Sequence, residues 1–242
     1  MRALLTACLL LGLLGPACAQ PGLPPATADC WPQQLTFPRV WVAYARCWPA
    51  LASRLQAQHL DPARLEVFFR LIKTSRTLEV WARNHGEAAF RLLGGYPLAA
   101  VSGSLGPKRQ AGDGQVPEGF YTIDRFQPRS AFHLALGLDY PTSDDLLAIG
   151  LGDPGGDIFL HGSNVTVGCL PLTDAGIDEV YLLAVAARAA GQASLAVHIF
   201  PFPLVDSELR QRAVNPNAAF WRGLVPGYAY FETHHTLAAD PH

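Results

Sequence analysis

The sequence has 242 residues, half of them hydrophobic and only 16% charged, with a formal net charge of -2 at neutral pH. A chain of that length can bury a sizeable core in one domain with embellishments at each end. Near-neutral charge without a clustered Lys/Arg stripe excludes the basic footprint that nucleic-acid binding requires, so nucleic acid is not an expected partner.

Met1-Arg2, the apolar run over residues 3–14, Gly15-Pro16 and the small-residue site Ala17-Cys18-Ala19 have the three regions of a secretory signal peptide, with cleavage expected after Ala19. The run is too short and too broken for a transmembrane anchor, and no later stretch is long enough to span. A lipoprotein with Cys18 acylated is disfavoured by Gly15, where a leucine would be expected. Export removes Cys8 and Cys18 and leaves Cys30, Cys47 and Cys169 in an oxidising compartment. The economical assignment pairs Cys30 with Cys47 as a disulfide and leaves Cys169 free.

The mature chain divides into a helical segment over residues 20–63, a central domain over 64–203, and a helical and aromatic extension over 204–242 that packs on the core. Residues 41–58 follow helical spacing across Pro49, which predicts one kinked helix or two short ones. After Asp61-Pro62 the period changes to two. Residues 65–72, apolar on both faces, read as a buried strand, and turns at 73–76 and 84–87 join it to strands over 77–83 and 88–93, giving a β-meander. His85, beside a turn glycine, reads as an exposed turn residue.

Residues 94–157 are dense in glycine and proline and read as loops with short strands at 121–123 and 131–134. Lys108 and Arg109 are candidates to meet a substrate carboxylate, against the blander reading of two solvated loop cations. Residues 158–160 form an apolar strand that delivers His161. A helix over 175–190, capped by Thr173 or Asp174, follows with Asp178 and Glu179 in its opening turns. Residues 195–200 return as a strand, a helical piece spans 207–213, and the aromatic run at Phe220-Trp221 and 228–231 packs inward, with His234-His235 exposed.

The chemistry is placed at His161-Gly162-Ser163-Asn164-Val165-Thr166-Val167-Gly168-Cys169. A cysteine attacks as the thiolate, and an imidazole within reach takes its proton. Gly162 and Gly168 let backbone N–H groups approach a reacting carbonyl as oxyanion donors. A zinc site from His133, His161, Cys169 and His198 lacks the usual paired ligand spacings, so no metal or cofactor is expected. His133 reads equally as a second site histidine or as a buried, hydrogen-bonded one.

These motifs resemble the L,D-transpeptidase (YkuD-type) catalytic domain, and within it the YafK-like murein transpeptidase branch. The resemblance rests on Pro117-Glu118-Gly119-Phe120-Tyr121, Phe132-His133-Leu134, Tyr140-Pro141, His161-Gly162-Ser163, Gly168-Cys169 and Thr173 to Ile177, and covers roughly residues 65–202. It implies a mainly β fold with flanking helices, a YkuD-like β-sandwich, in a periplasmic or envelope protein. It also implies Cys169 as nucleophile, His161 as base, Ser163 or the Gly162 backbone orienting the imidazole, and Gly168 and Cys169 N–H groups as the oxyanion hole. The implied substrates are peptidoglycan stem peptides, attacked at the diaminoacid carbonyl through a thioester. A peptidoglycan-linked lipoprotein is a further implied partner. Two features depart from the wider family: Val167 stands where most members carry histidine, and the loop between base and cysteine is short, as in the YafK-like branch. The competing reading is a non-catalytic envelope protein that uses the fold to bind peptidoglycan or a scaffold partner.

Overall fold

The computed structural model describes residues 26–239, so the proposed signal peptide, with Cys8 and Cys18, lies outside the described residues. Two helices come first among the described residues, α1 (Cys30–Leu35) and α2 (Pro38–Ala57). Proline at the first position of α2 suits a site whose N–H has no helical partner, and the helix then runs through Pro49 as one element.

Strands β1 (Leu65–Ile72), β2 (Thr77–Asn84) and β3 (Arg91–Pro97) form the expected antiparallel meander, although β3 starts later than its alternation suggested. β4 (Gly119–Gln127) and β5 (Ala135–Leu138) follow, then α3 (Ser143–Ile149), β6 (Phe159–His161), β7 (Leu170–Pro171), α4 (Thr173–Ala189) and β8 (Ala196–Phe200). The chain ends in α5 (Asp206–Gln211), α6 (Ala218–Gly223) and α7 (Val225–His234). The eight strands among the described residues join one mixed sheet in the order β3-β2-β1-β8-β4-β5-β6-β7. The expected β core with flanking helices is present. It takes the form of a continuous curled sheet, whose register shifts between Ile123 and Arg125 where β4 passes from β8 to β5.

β1 shows why both of its faces read as apolar. Leu65, Val67, Phe69 and Leu71 point into the main core with α2 and α4, whereas Phe68 and Ile72 point at clusters built by α6 and α7. Arg70 shares the second face, where it ion-pairs with Glu79 and Glu232 and lies over the rings of Trp81 and Phe231. Those pairings dock the C-terminal helices on the sheet, and they compensate the burial of the guanidinium.

α4 is buried along almost its whole length, with Ile177 and every residue from Val180 to Ala187 fully inside. The helix begins at Thr173, ahead of its expected start at residue 175, so Leu172 takes the N-cap position, and the Thr173 hydroxyl accepts from the Gly176 N–H at 3.2 Å within the first turn. Asp178 and Glu179, read from sequence as helix-dipole residues, instead tie α4 to α2: Asp178 pairs with Arg46, and Glu179 accepts from Arg54 at 3.0 Å and Tyr96 at 2.8 Å.

Three expectations are corrected. Residues 131–134 form a turn rather than a strand, and the strand begins at Ala135, because His133 sits at φ +74°, outside extended space. α3 replaces a stretch read as loop. The expected Cys30–Cys47 disulfide is not formed: Cys30, Cys47 and Cys169 are all free thiols. Cys30 is committed to the core, facing Tyr181 and Arg188 of α4, where burial pushes its thiol up to about 11 against the opposing pull of Arg188. Cys47 lies half-buried in mid-α2 beside Arg46. Among the described residues no helix is long and apolar enough to cross a membrane.

Candidate active site

Pairing on both edges fixes the end of β6: His161 stands opposite Ala135 of β5 and opposite Pro171 of β7. The intervening loop therefore leaves and re-enters the sheet at adjacent points, which brings its first and last residues together. Four further hydrogen bonds lock it. Gly162 N–H donates to Leu134 O at 3.2 Å, Leu172 N–H to His161 O at 2.8 Å, Thr173 N–H to Ser163 O at 3.2 Å, and Ser163 N–H to Asp174 Oδ1 at 2.8 Å. A Cβ on Gly162 would stand 2.6 Å from Asp174 Oδ1 and 2.8 Å from Phe132 O, so glycine is required there by contact. Gly168 is required by conformation, with φ +89°.

His161 and Cys169 line one cleft of about 450 Å³, together with Arg125, Arg129, Phe132, Asp157 and Phe159. The imidazole Nδ1 lies 2.5 Å from Gly162 O. A carbonyl only accepts, so Nδ1 carries the proton and Nε2 keeps its lone pair. Burial holds the ring below the usual imidazole range, against the opposing bond to Gly162. The Cys169 thiol donates to Asp157 O at 3.4 Å rather than to the ring. Burial raises the thiol, a bond to the Phe159 N–H opposes that, the Asp157 charge adds to it and Lys108 opposes it. Both shifts favour the neutral forms, a thiol and a free base lining the same cleft.

No family model matches the sequence. Curated relatives do: two proteins named "Putative L,D-transpeptidase YafK", from Escherichia coli K12 and O157:H7, are each 36% identical over 168 residues, covering 69% of this chain and 66% of the relative. The chain belongs to the L,D-transpeptidase family, on its YafK-like branch. It spans about two thirds of those relatives' length. Among solved structures, the helical cell shape determining protein Pgp2 from Campylobacter jejuni matches with TM-score 0.45 and 22% identity, over 57% of this chain and 48% of that one. L,D-transpeptidase 1 from Mycobacterium tuberculosis matches with TM-score 0.31 and 14% identity, over 56% and 62%.

Within this L,D-transpeptidase-family chain, the expected site residues separate into three groups. His161, Gly162, Gly168 and Cys169 come together. Ser163 lies in the loop, but it is the Gly162 carbonyl that orients the imidazole, while Ser163 acts through its backbone at φ +68°. The Gly168 N–H is already given to Ser102 Oγ at 2.7 Å, which removes it from the expected oxyanion pair and leaves the Cys169 N–H, with no acceptor among the described residues.

Lys108, Arg109 and His133 stand outside the cleft lining. Lys108 is buried, paired with Asp113 at 2.7 Å, and so is neither a solvated cation nor available to a substrate carboxylate. Arg109 lies over the Phe220 ring at 5.3 Å, lining a separate cavity with Tyr121 and Asp145. His133 takes the hydrogen-bonded role, its Nε2 2.7 Å from Asp178 Oδ1. His198 packs among Phe68, Phe120 and Phe200, and no group of His, Cys, Asp and Glu suited to a metal forms among the described residues. Sequence reasoning missed Ser102, Arg125 and Arg129, which reach the site from parts of the chain distant in sequence, and Asp157, which lies just before β6, because none of them sits in a motif.

Proposed function

We propose that this protein is an exported acyl-transfer enzyme acting on peptidoglycan stem peptides, with Cys169 as nucleophile and His161 as general base. The observation that carries the reading is the placement of a neutral imidazole, its Nε2 lone pair free, in the same open cleft as the one half-buried thiol of the loop. In the proposed reaction His161 takes the thiol proton as sulfur attacks the diaminoacid carbonyl. The Cys169 N–H receives the developing oxyanion. The tetrahedral adduct collapses to a thioester as the imidazolium returns its proton to the departing amine of the D-residue. Water or an acceptor amine, deprotonated in turn by His161, then releases the acyl group. Attack by water gives cleavage, including release of a lipoprotein attached to peptidoglycan, and attack by an amine gives a new cross-link.

Support comes from membership of the family and from the name of the Escherichia coli relatives. The test is incubation of the mature chain with purified sacculi and with stem tetrapeptides, wild type beside Cys169→Ala, with products read by mass spectrometry. Products present only with wild type establish the nucleophile, and their masses distinguish water from amine as acceptor. A folded wild-type protein that binds sacculi without changing them would instead support the non-catalytic envelope reading.

A further inference from the structure

The cleft that holds the dyad is also lined by two cations that the mechanism above does not use. Arg125 and Arg129 both line it, four residues apart at the end of β4. Arg125 is held from behind: Nη1 donates to Asp124 Oδ2 at 2.9 Å, and the guanidinium lies 4.7 Å above the Phe159 ring. Its other amino group, Nη2, donates to Asp157 Oδ1 at 2.8 Å. Asp157 is a different kind of partner, because its side chain is 87% exposed. An ion pair with one end in water is weak and exchanges readily. Arg129 has no carboxylate partner among the described residues and lies over the Phe37 ring at 5.2 Å. A fixed guanidinium fork with a loosely held acid on its open side matches the geometry of bidentate carboxylate recognition.

Asp157 also touches the nucleophile. Its backbone carbonyl accepts the Cys169 S–H, at a residue whose φ of +55° lies in the left-handed region. The residue occupying Arg125 is thus the residue restraining the thiol.

We infer that Arg125, assisted by Arg129, is the receptor for a carboxylate of the donor peptide, and that Asp157 is its exchangeable stand-in, displaced on binding so that the thiol is released toward His161. The inference rests on the acyl-transfer reading for the identity of the peptide, but the anion seat itself does not depend on it. Arg125 and Arg129 are substrate-binding residues, and Asp157 is a positioning residue. The charged and titratable groups around the thiol are Asp157, His161, Arg125 and Arg129 in the cleft lining and Lys108 outside it.

The test compares alkylation of Cys169 by iodoacetate, which carries a carboxylate, with alkylation by neutral iodoacetamide, read by peptide mapping to separate Cys169 from Cys30 and Cys47. Arg125→Gln is expected to lower the iodoacetate-to-iodoacetamide rate ratio about tenfold, and Arg125→Lys to restore part of it. Asp157→Asn keeps the left-handed backbone accessible, and is expected to raise the iodoacetate rate about tenfold and to move the pH profile of the iodoacetamide reaction downward. The circular dichroism spectrum reports folding in each variant, and iodoacetamide is the neutral reference reagent for Arg125→Gln. A ratio unchanged by Arg125→Gln and Asp157→Asn in folded proteins overturns the inference.

A second arm offers stem tetrapeptides whose diaminoacid side-chain carboxylate is free or amidated. Faster acylation by the free form, abolished as a preference by Arg125→Gln, extends the receptor to the substrate. If the ratios shift as expected but neither peptide acylates Cys169, the acyl-transfer reading fails and the anion seat stands. If peptides acylate with ratios unchanged, the reverse holds.

Discussion

The Nδ1 of His161 lies 2.5 Å from the carbonyl oxygen of its own neighbour, Gly162. One backbone group therefore fixes the tautomer, and the two neighbours of the dyad divide its control: Gly162 sets the base, and Asp157 holds the nucleophile through the carbonyl that accepts the Cys169 thiol. In the resting site the proton stays on sulfur.

That arrangement predicts the pH dependence of the thiol. Burial raises the Cys169 thiol and lowers the His161 imidazole, so neither change favours a thiolate–imidazolium pair. Alkylation of the free protein by iodoacetamide should rise in a single limb as pH increases through the raised thiol value, with no plateau of reactivity below neutrality. A rate that stays high down to pH 5 would mean that the ion pair is preformed and that the neutral dyad is wrong.

Gly162→Ala tests whether contact or flexibility demands the glycine. The added methyl would sit 2.6 Å from Asp174 Oδ1, 2.8 Å from Phe132 O and 2.9 Å from His133 Cβ, and the second of these is backbone that cannot step aside. Displacement of the Gly162 carbonyl that supports the His161 ring by roughly 1 Å is expected to cost about 100-fold in acylation rate. The core is untouched, so thermal unfolding should shift far less than the rate does. Equal losses in rate and stability would show the loop to be part of the folding core.

Much of this architecture is legible from the residues themselves. β1 announces itself because both of its faces are buried, one against α2 and α4 and one against α6 and α7. His161 and Cys169 are legible because a short loop must return to the neighbouring strand. α3 is not, although Thr142 and Asp145 form a capping box there, because its surroundings are loop-like in composition and Leu147 is exposed, so no periodic apolar stripe marks it. The Ser102 and Asp157 contacts to the site are invisible for another reason: each has a backbone group at one end, the Gly168 N–H that the Ser102 hydroxyl accepts and the Asp157 carbonyl that accepts the Cys169 thiol, and no residue-type pattern encodes such contacts.

Ser102 gives the third prediction. Its hydroxyl is the acceptor for Gly168 N–H at 2.7 Å, one residue before the nucleophile. Ser102→Ala leaves that N–H without its partner at a partly buried position, which costs about 1 kcal/mol of stability. The loop end carrying Cys169 then loses its tether, and acylation is expected to fall about tenfold. An increase in rate would instead identify Ser102 as a competitor for an N–H that the oxyanion needs, and would return Gly168 to the oxyanion hole.

The loop behind Gly168 is held by a carboxylate, which makes it sensitive to acid. Asp113 accepts from Lys108 Nζ at 2.7 Å and from the N–H groups of Arg109 at 2.9 Å, Gln110 at 3.0 Å and Gln115 at 3.0 Å. Burial works against ionisation, but these donors outweigh it and bring the carboxyl down to about 2 from 3.8. A folded value below the unfolded one means that the stabilisation is complete above about pH 4 and is lost as pH falls toward 2. Gln115 in turn places its carbonyl 3.0 Å from where a Gly168 Cβ would stand, so loosening this loop loosens the support of the nucleophile. Asp113→Asn keeps the shape but removes the charge, and should cost about 2 kcal/mol at pH 7 and very little at pH 2, where the wild-type carboxyl is itself becoming protonated. Thermal unfolding of both proteins across that range checks it: the gap between their midpoints should close as pH falls, and a gap constant with pH would assign the loss to packing rather than to charge.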